Sequence, residues 1–176
     1  AVINIDDPYS DRICSATSAK IITYGMNEKA DLHPTQSNFS LNGTEAKLQY
    51  GKTEFSVNNV LVGEYNLSNI MAASAVSLSM EISPKDIEQA VKSLPPIPGR
   101  LEHIPCDCPG KVFVDYAHTP DAYEKLFSSL KNVTEENVKI FVVFGCGGDR
   151  DSKKRKEMAA ISEKYVAFSF VTMDNP

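Results

Sequence analysis

Residues 138–173, VKIFVVFGCGGDRDSKKRKEMAAISEKYVAFSFVTM, carry the alternation that decides the fold class. The run VKIFVVF (138–144) is almost wholly apolar, as expected for a strand covered on both faces. SKKRKEMAAISEKY (152–165) reads as a helix whose basic first turn opposes its own dipole. VAFSFVTM (166–173) then reads as another strand. Upstream, KVFVDY (111–116) is a short apolar run. TPDAYEKLFSSLKN (119–132) has a helix start at Thr119 and Pro120, and its spacing puts Ala122, Leu126, Phe127 and Leu130 inward. The order β-α-β-α-β implies right-handed crossovers and an open parallel sheet.

In such sheets ligands bind outside the carboxyl ends of the strands. Three polar loops fall there: residues 115–118 (DYAH), 145–151 (GCGGDRD) and 174–176 (DNP). Each alone has an ordinary reading as a cap or turn. Their shared edge favours a site. GCGGDRD is not a phosphate loop of the G-K-[ST] kind. Arg150 occupies the place of the third glycine of a dinucleotide fingerprint, and two aspartates would repel a phosphate. A guanidinium that forks onto a carboxylate, beside acids that accept from an ammonium, suits an amino-acid zwitterion better.

The first half has a different texture. Residues 20–62 hold short β-rich runs. Asn42-Gly43 predicts a type I′ hairpin, and Gly51 separates two further segments, which together predict a meander. Residues 64–81 predict a helix with Leu67, Ile70, Met71, Ser74 and Leu78 on one face. Ser83, Pro84 and Asp86 predict the capped start of another. PPIPGR (95–100) predicts a linker between domains 1–98 and 99–176.

The bulk composition narrows the function classes. The 176 residues suit one large or two small domains. A net charge of −5 gives no support for nucleic-acid binding. No apolar run approaches the ~20 residues of a membrane span, so no membrane insertion is expected. Of Cys14, Cys106, Cys108 and Cys146, the middle two form a C-x-C that could suggest a metal, but no second ligand pair accompanies it and the three histidines are scattered, so all four predict unpaired thiols and a cytoplasmic location. AVINIDD (1–7) opens on a strand-like run with no obvious partner downstream, and the chain stops where a strand hands over to a loop. Both ends predict a piece of a longer protein.

GEYNLSNIMAA (63–73), PGRLE (98–102), VDYAHTPDAYEKL (114–126), VFGCGGDRDSKKR (143–155) and DNP (174–176) come in an order and spacing that resembles the Mur ligase family, nearest its MurE branch. The resemblance covers essentially the whole chain. It implies the end of a central ATPase domain with a small antiparallel meander, followed by a truncated Rossmann-like C-terminal domain that binds the acceptor amino acid. It implies an ATP-dependent amide ligase that uses Mg2+, forms an acyl phosphate on UDP-MurNAc-L-Ala-D-Glu, and lets a diamino acid attack it. GCGGDRD favours meso-diaminopimelate over L-lysine as that acceptor. By the resemblance, Asn66 and Asn69 approach the adenine side of ATP, Arg100 reaches the nucleotide between domains, Asp115 takes the ribose hydroxyls, and His118 lies near the nucleotide. Arg150, Asp174, Asn175 and Pro176 match the diamino-acid site. Asn66 also fits a helix cap, and Asn4, Asp6 and Asp7 end a central-domain strand. The family's G-x-x-G-K-[ST] loop and carbamylated lysine are not in this sequence, so no catalytic residue is assigned and the chain alone is expected to be inactive. A folylpolyglutamate synthase-like ligase and a nonenzymatic nucleotide-sensing α/β module are the alternative readings.

Overall fold

Alternation along the strands of the first half builds a sheet with one apolar face. The computed structural model describes residues 1–146 and 152–173. The chain divides into two compact units, Ala1–Pro98 and Gly99–Pro176. The first contains β1 (Val2–Asn4), α1 (Ser10–Ala16), β2 (Ile22–Tyr24), β3 (Leu32–Ser40), β4 (Gly43–Tyr50), β5 (Thr53–Asn59), α2 (Glu64–Ser79) and α3 (Pro84–Ser93). The strands form one sheet in the order β1-β2-β3-β4-β5. β1, β2 and β3 run parallel, and β3, β4 and β5 form the antiparallel meander. Ala46 and Leu48 on β4, and Phe55 and Val57 on β5, point to one buried face, with polar residues between them exposed.

Helix α2 lies against that face through the stripe its spacing predicts. Leu67, Ile70, Met71, Ser74 and Ala75 are buried, and Leu78 packs against the same core. Ile87 and Val91 of α3 close the cluster. Fully burying one such leucine is worth about 1.5–3 kcal/mol. α3 starts as expected: Ser83 Oγ accepts from the Asp86 amide at 3.2 Å and donates to Asp86 Oδ2 at 2.6 Å. Asn59 joins strand to helix. Its buried amide donates to the Val91 carbonyl at 2.6 Å, and its Oδ1 accepts from the Leu61 amide at 2.9 Å.

Two details of this unit differ from the sequence reading. The β3–β4 turn is Leu41-Asn42, because Ser40 already pairs with Gly43. Among described non-glycine residues positive φ occurs only at Glu81 and Leu101, so the turn is not type I′. Gly43 is needed for a different reason: a Cβ there would stand 2.1 Å from the Asn59 carbonyl oxygen. The opening strand also has a downstream partner. Val2, Ile3 and Asn4 pair with Ile22, Thr23 and Tyr24.

The second unit contains β6 (Glu102–Ile104), β7 (Val112–Val114), α4 (Pro120–Val133), β8 (Phe141–Gly145), α5 (Ser152–Tyr165) and β9 (Phe168–Thr172). β8 and β9 pair in parallel in register across α5. β7 instead pairs antiparallel with β6, a strand the sequence reading passed over. The described strands therefore make two two-stranded sheets rather than one parallel sheet of three. The mixed α/β class with a meander stands. α4 has the expected Thr119 cap on the Ala122 amide, but Tyr123, Phe127 and Leu130 are its buried residues, with Ala122 and Leu126 only half-buried. Tyr123 turns inward because its ring meets Phe127 and Phe144 edge-on, with centroids 5.1 and 5.4 Å apart.

β8 is covered on one face, not both. Phe144 is buried under α4, whereas Phe141 and Val143 are 62% and 69% exposed. Their register partners Phe168 and Phe170 continue that open apolar face. The cysteines also need correction. Cys106 and Cys108 are joined as a disulfide, and only Cys14 and Cys146 are free. The two Cα atoms are 5.3 Å apart, within reach of a bridge, and prolines flank the C-D-C stretch on both sides.

Candidate functional site

A turn at the start of the second unit and the loop after β7 build the candidate site. Gly99 has φ +67° and Leu101 has φ +46°, so Arg100 sits between two left-handed residues and is displayed outward, exposed. A left-handed leucine costs roughly 1–2 kcal/mol. The Leu101 amide offsets this by donating to Asp115 Oδ2 at 2.7 Å. A hydrogen bond to a charged acceptor is worth roughly 1.5–3 kcal/mol, so the strained turn holds. Asp115 Oδ1 accepts a second amide, that of Ala117, at 2.7 Å. The Tyr116 amide donates to the Gly99 carbonyl at 2.7 Å, and the Gly99 amide to Glu102 Oε2 at 2.8 Å.

Asp115, half-buried, thus ties the turn to the loop. A carboxylate has about four acceptor positions, and two backbone donors leave room for a hydroxyl pair. His118 Nδ1 lies 2.9 Å from the Tyr116 carbonyl. A carbonyl only accepts, so Nδ1 carries the proton, and Nε2 is the acceptor in the neutral ring. The exposed Tyr116 ring lies 5.0 Å from the His118 ring, centroid to centroid, and the Arg100 guanidinium carbon is 5.8 Å from the Tyr116 centroid, within cation–π range. Arg100, Asp115 and His118 are therefore brought together around Tyr116. In the same unit, burial pushes the Tyr123 phenol above its usual range, and coulombic interaction with Cys146 and Asp115 adds to the shift. Tyr123 stays neutral at ordinary pH.

Asn66 and Asn69 belong to the first unit, in the opening turns of α2. The helix is capped by Gly63, at φ +97°, and not by Asn66. Asn66 is buried and donates to the Val62 carbonyl at 2.8 Å, which staples the helix entry. Asn69, three residues on, is exposed. Asp6 Oδ2 accepts the Met26 amide at 2.7 Å, and Asp7 Oδ1 accepts the Tyr9 amide at 2.8 Å, so both acids serve turns. Arg150, Asp174, Asn175 and Pro176 lie outside the described residues. Tyr116 and Glu102 were not singled out from the sequence. Their signal is weak there: both stand inside the quoted motifs, but only the folded turn shows what they touch.

The family model for the Mur ligase middle domain matches residues 1–77, and that for the Mur ligase glutamate ligase domain matches residues 99–176. The chain belongs to the Mur ligase family. A UDP-N-acetylmuramoyl-L-alanyl-D-glutamate–2,6-diaminopimelate ligase of Chlamydia pneumoniae is 40% identical over 99% of this chain and 36% of its own length. A solved structure of a ligase of the same name is 34% identical, with a TM-score of 0.70 over 100% of this chain and 37% of that one. MurF from Acinetobacter baumannii, at 21% identity, a TM-score of 0.81, and coverage of 97% of this chain and 38% of that one, shares the fold. The chain spans about a third of the length of the curated relatives it matches. Within the Mur ligase framework the Arg100–Asp115–His118 group sits in the unit matched as the glutamate ligase domain.

Proposed function

We propose that this chain is part of an ATP-dependent ligase that adds meso-diaminopimelate to UDP-MurNAc-L-Ala-D-Glu in peptidoglycan synthesis, with residues 1–98 from the middle domain and 99–176 from the acceptor-binding domain. The observation that carries the reading is the arrangement around Asp115, whose two bound amides orient a carboxylate with capacity left for ribose hydroxyls. The names of relatives matched along the whole chain support the substrate class. Asp115 binds the ribose, and Arg100 and His118 face the nucleotide beside it. Asn66 and Asn69 contribute on the adenine side. Arg150 grips a carboxylate of the incoming amino acid, with Asp174, Asn175 and Pro176 completing that pocket.

Phosphoryl transfer from ATP makes the dipeptide carboxyl an acyl phosphate. The diaminopimelate amine then attacks it, and phosphate leaves. Mg2+ would neutralise phosphate charge in that first step. Among the described residues no group of three or more His, Cys, Asp or Glu side chains could hold a metal ion, so none is assigned to it. No helix of the described residues is long and apolar enough to cross a membrane, and a cytoplasmic place fits the nucleotide substrates. The test is phosphate release by the whole protein. Release that requires ATP, the UDP-dipeptide and diaminopimelate together is expected. Release that L-lysine or a folate–glutamate pair supports better would overturn the reading.

A further inference from the structure

The β6–β7 hairpin has a feature that nucleotide binding does not use. Its strands pair over three residues each, Glu102–Ile104 with Val112–Val114, and residues 105–111 (PCDCPGK) form the connecting loop. Cys106 and Cys108 are bridged within it, and both are exposed. The opposite end of the same hairpin leads directly into Leu101 and Asp115, the donor and acceptor that hold the Arg100 turn. We infer that Cys106 and Cys108 form a reversible dithiol–disulfide site, open to a small thiol, whose closure stiffens the hairpin presenting the Asp115 group.

Three observations support this. An exposed disulfide offers either sulfur to an attacking thiolate, and accessible bridges are the labile ones. Cys106 and Cys108 are only two residues apart in the chain, so the ring that reclosure forms is short and little loop-closure entropy opposes it. The open form is also provided for: the Gly110 carbonyl lies 3.4 Å from Cys108 Sγ and 4.0 Å from Cys106 Sγ, ready to accept from the thiols. In the opening reaction a glutathione thiolate attacks one sulfur, breaking the Cys106–Cys108 bond and forming a mixed disulfide. A second glutathione displaces the protein sulfur. The products are two protein thiols and oxidised glutathione, so two electrons and two protons enter the protein. Oxidised glutathione runs the sequence backwards.

The whole protein, equilibrated in buffers of graded reduced and oxidised glutathione and then alkylated, tests the site by mass spectrometry of the Cys106–Cys108 peptide. The two cysteines are expected to become alkylated together, in one two-electron transition. Cys108→Ser is expected to replace it with a mixed glutathione disulfide on Cys106. A peptide alkylated at both positions under every poise would overturn the inference. Hydrogen exchange of the Leu101 and Ala117 amides reads the coupling and is independent of ligase activity. Several-fold slower exchange in the oxidised protein is expected, and equal rates in the two states would sink it.

Discussion

Asp115 has a structural part that its hydrogen bonds show, and the nucleotide role proposed for it rests on the acceptor capacity left over. Its two oxygens each hold a backbone amide at 2.7 Å, which leaves acceptor capacity but also makes the residue difficult to replace. Asp115→Asn keeps one carbonyl acceptor and sets an NH2 group against one of those amides. In the whole protein the apparent KM for ATP should rise about tenfold, equal to roughly 1.4 kcal/mol of binding, and the KM for diaminopimelate should rise less. Steady-state kinetics with each substrate varied in turn decides this, and the reverse ranking would count against a ribose contact. Arg150 makes the complementary case. Charge-assisted bonds worth roughly 1.5–3 kcal/mol imply a 10- to 100-fold lower kcat/KM for the acceptor in Arg150→Ala. Arg150→Lys should recover only part, since an ammonium cannot fork. A collapse of ATP affinity with unchanged acceptor KM would instead make GCGGDRD a phosphate loop.

At the scale of elements, close approach fixes β4 against β5, and a buried amide ties β5 to α3. The 2.1 Å between a Cβ at Gly43 and the Asn59 carbonyl leaves no room for any side chain. Gly43→Ala must therefore move backbone, and should cost about 2 kcal/mol or more. Asn59→Ala would strand the buried Leu61 amide, costing about 1–3 kcal/mol, while the Val91 carbonyl keeps the Leu94 amide at 3.3 Å. Urea unfolding should show lower midpoints with unchanged slope for both variants. An unchanged midpoint for Asn59→Ala would show that the strand–helix link contributes nothing.

Across the second unit as a whole, α4 and α5 are clasped by Glu124, which accepts from Lys164 Nζ at 2.7 Å and from the Tyr165 hydroxyl. These bonds, Lys164 first and then Tyr165, hold the Glu124 carboxyl below its usual value of 4.5, and Glu124 holds the Lys164 ammonium above its usual 10.5. A depressed carboxyl contributes stability that is present above the unfolded pKa and lost as pH falls through the folded one. A raised amine contributes stability that is present below its unfolded pKa and lost as pH rises through the folded one. Glu124→Gln should therefore narrow the gap in melting temperature between neutral pH and pH below 4.5, with little change in acid itself. Thermal unfolding across that range checks it. An identical profile for the variant would mean that the exposed clasp is too screened to matter.

The sequence by itself determined what local chemistry controls. Period-two and helical spacing marked β4, β5 and the apolar stripe of α2. Ser83-Pro84 and Thr119-Pro120 started α3 and α4 because each cap satisfies amides a few residues away. Motif order was enough to place the chain among the Mur ligases, since each motif is contiguous. The tertiary structure decided everything that depends on a distant partner. Gly43 looked like turn chemistry until Asn59 stood against it. β1 had no visible partner because parallel pairing with β2 leaves no hairpin signal, and β7 was drawn to β6 instead of into a parallel sheet. Asp115 became the hub of the candidate site only when residues 99–101 folded back onto it, fourteen positions away from Leu101 in the chain. No periodicity reports such a contact, because its energy comes from donors and acceptors that meet only after the chain has turned.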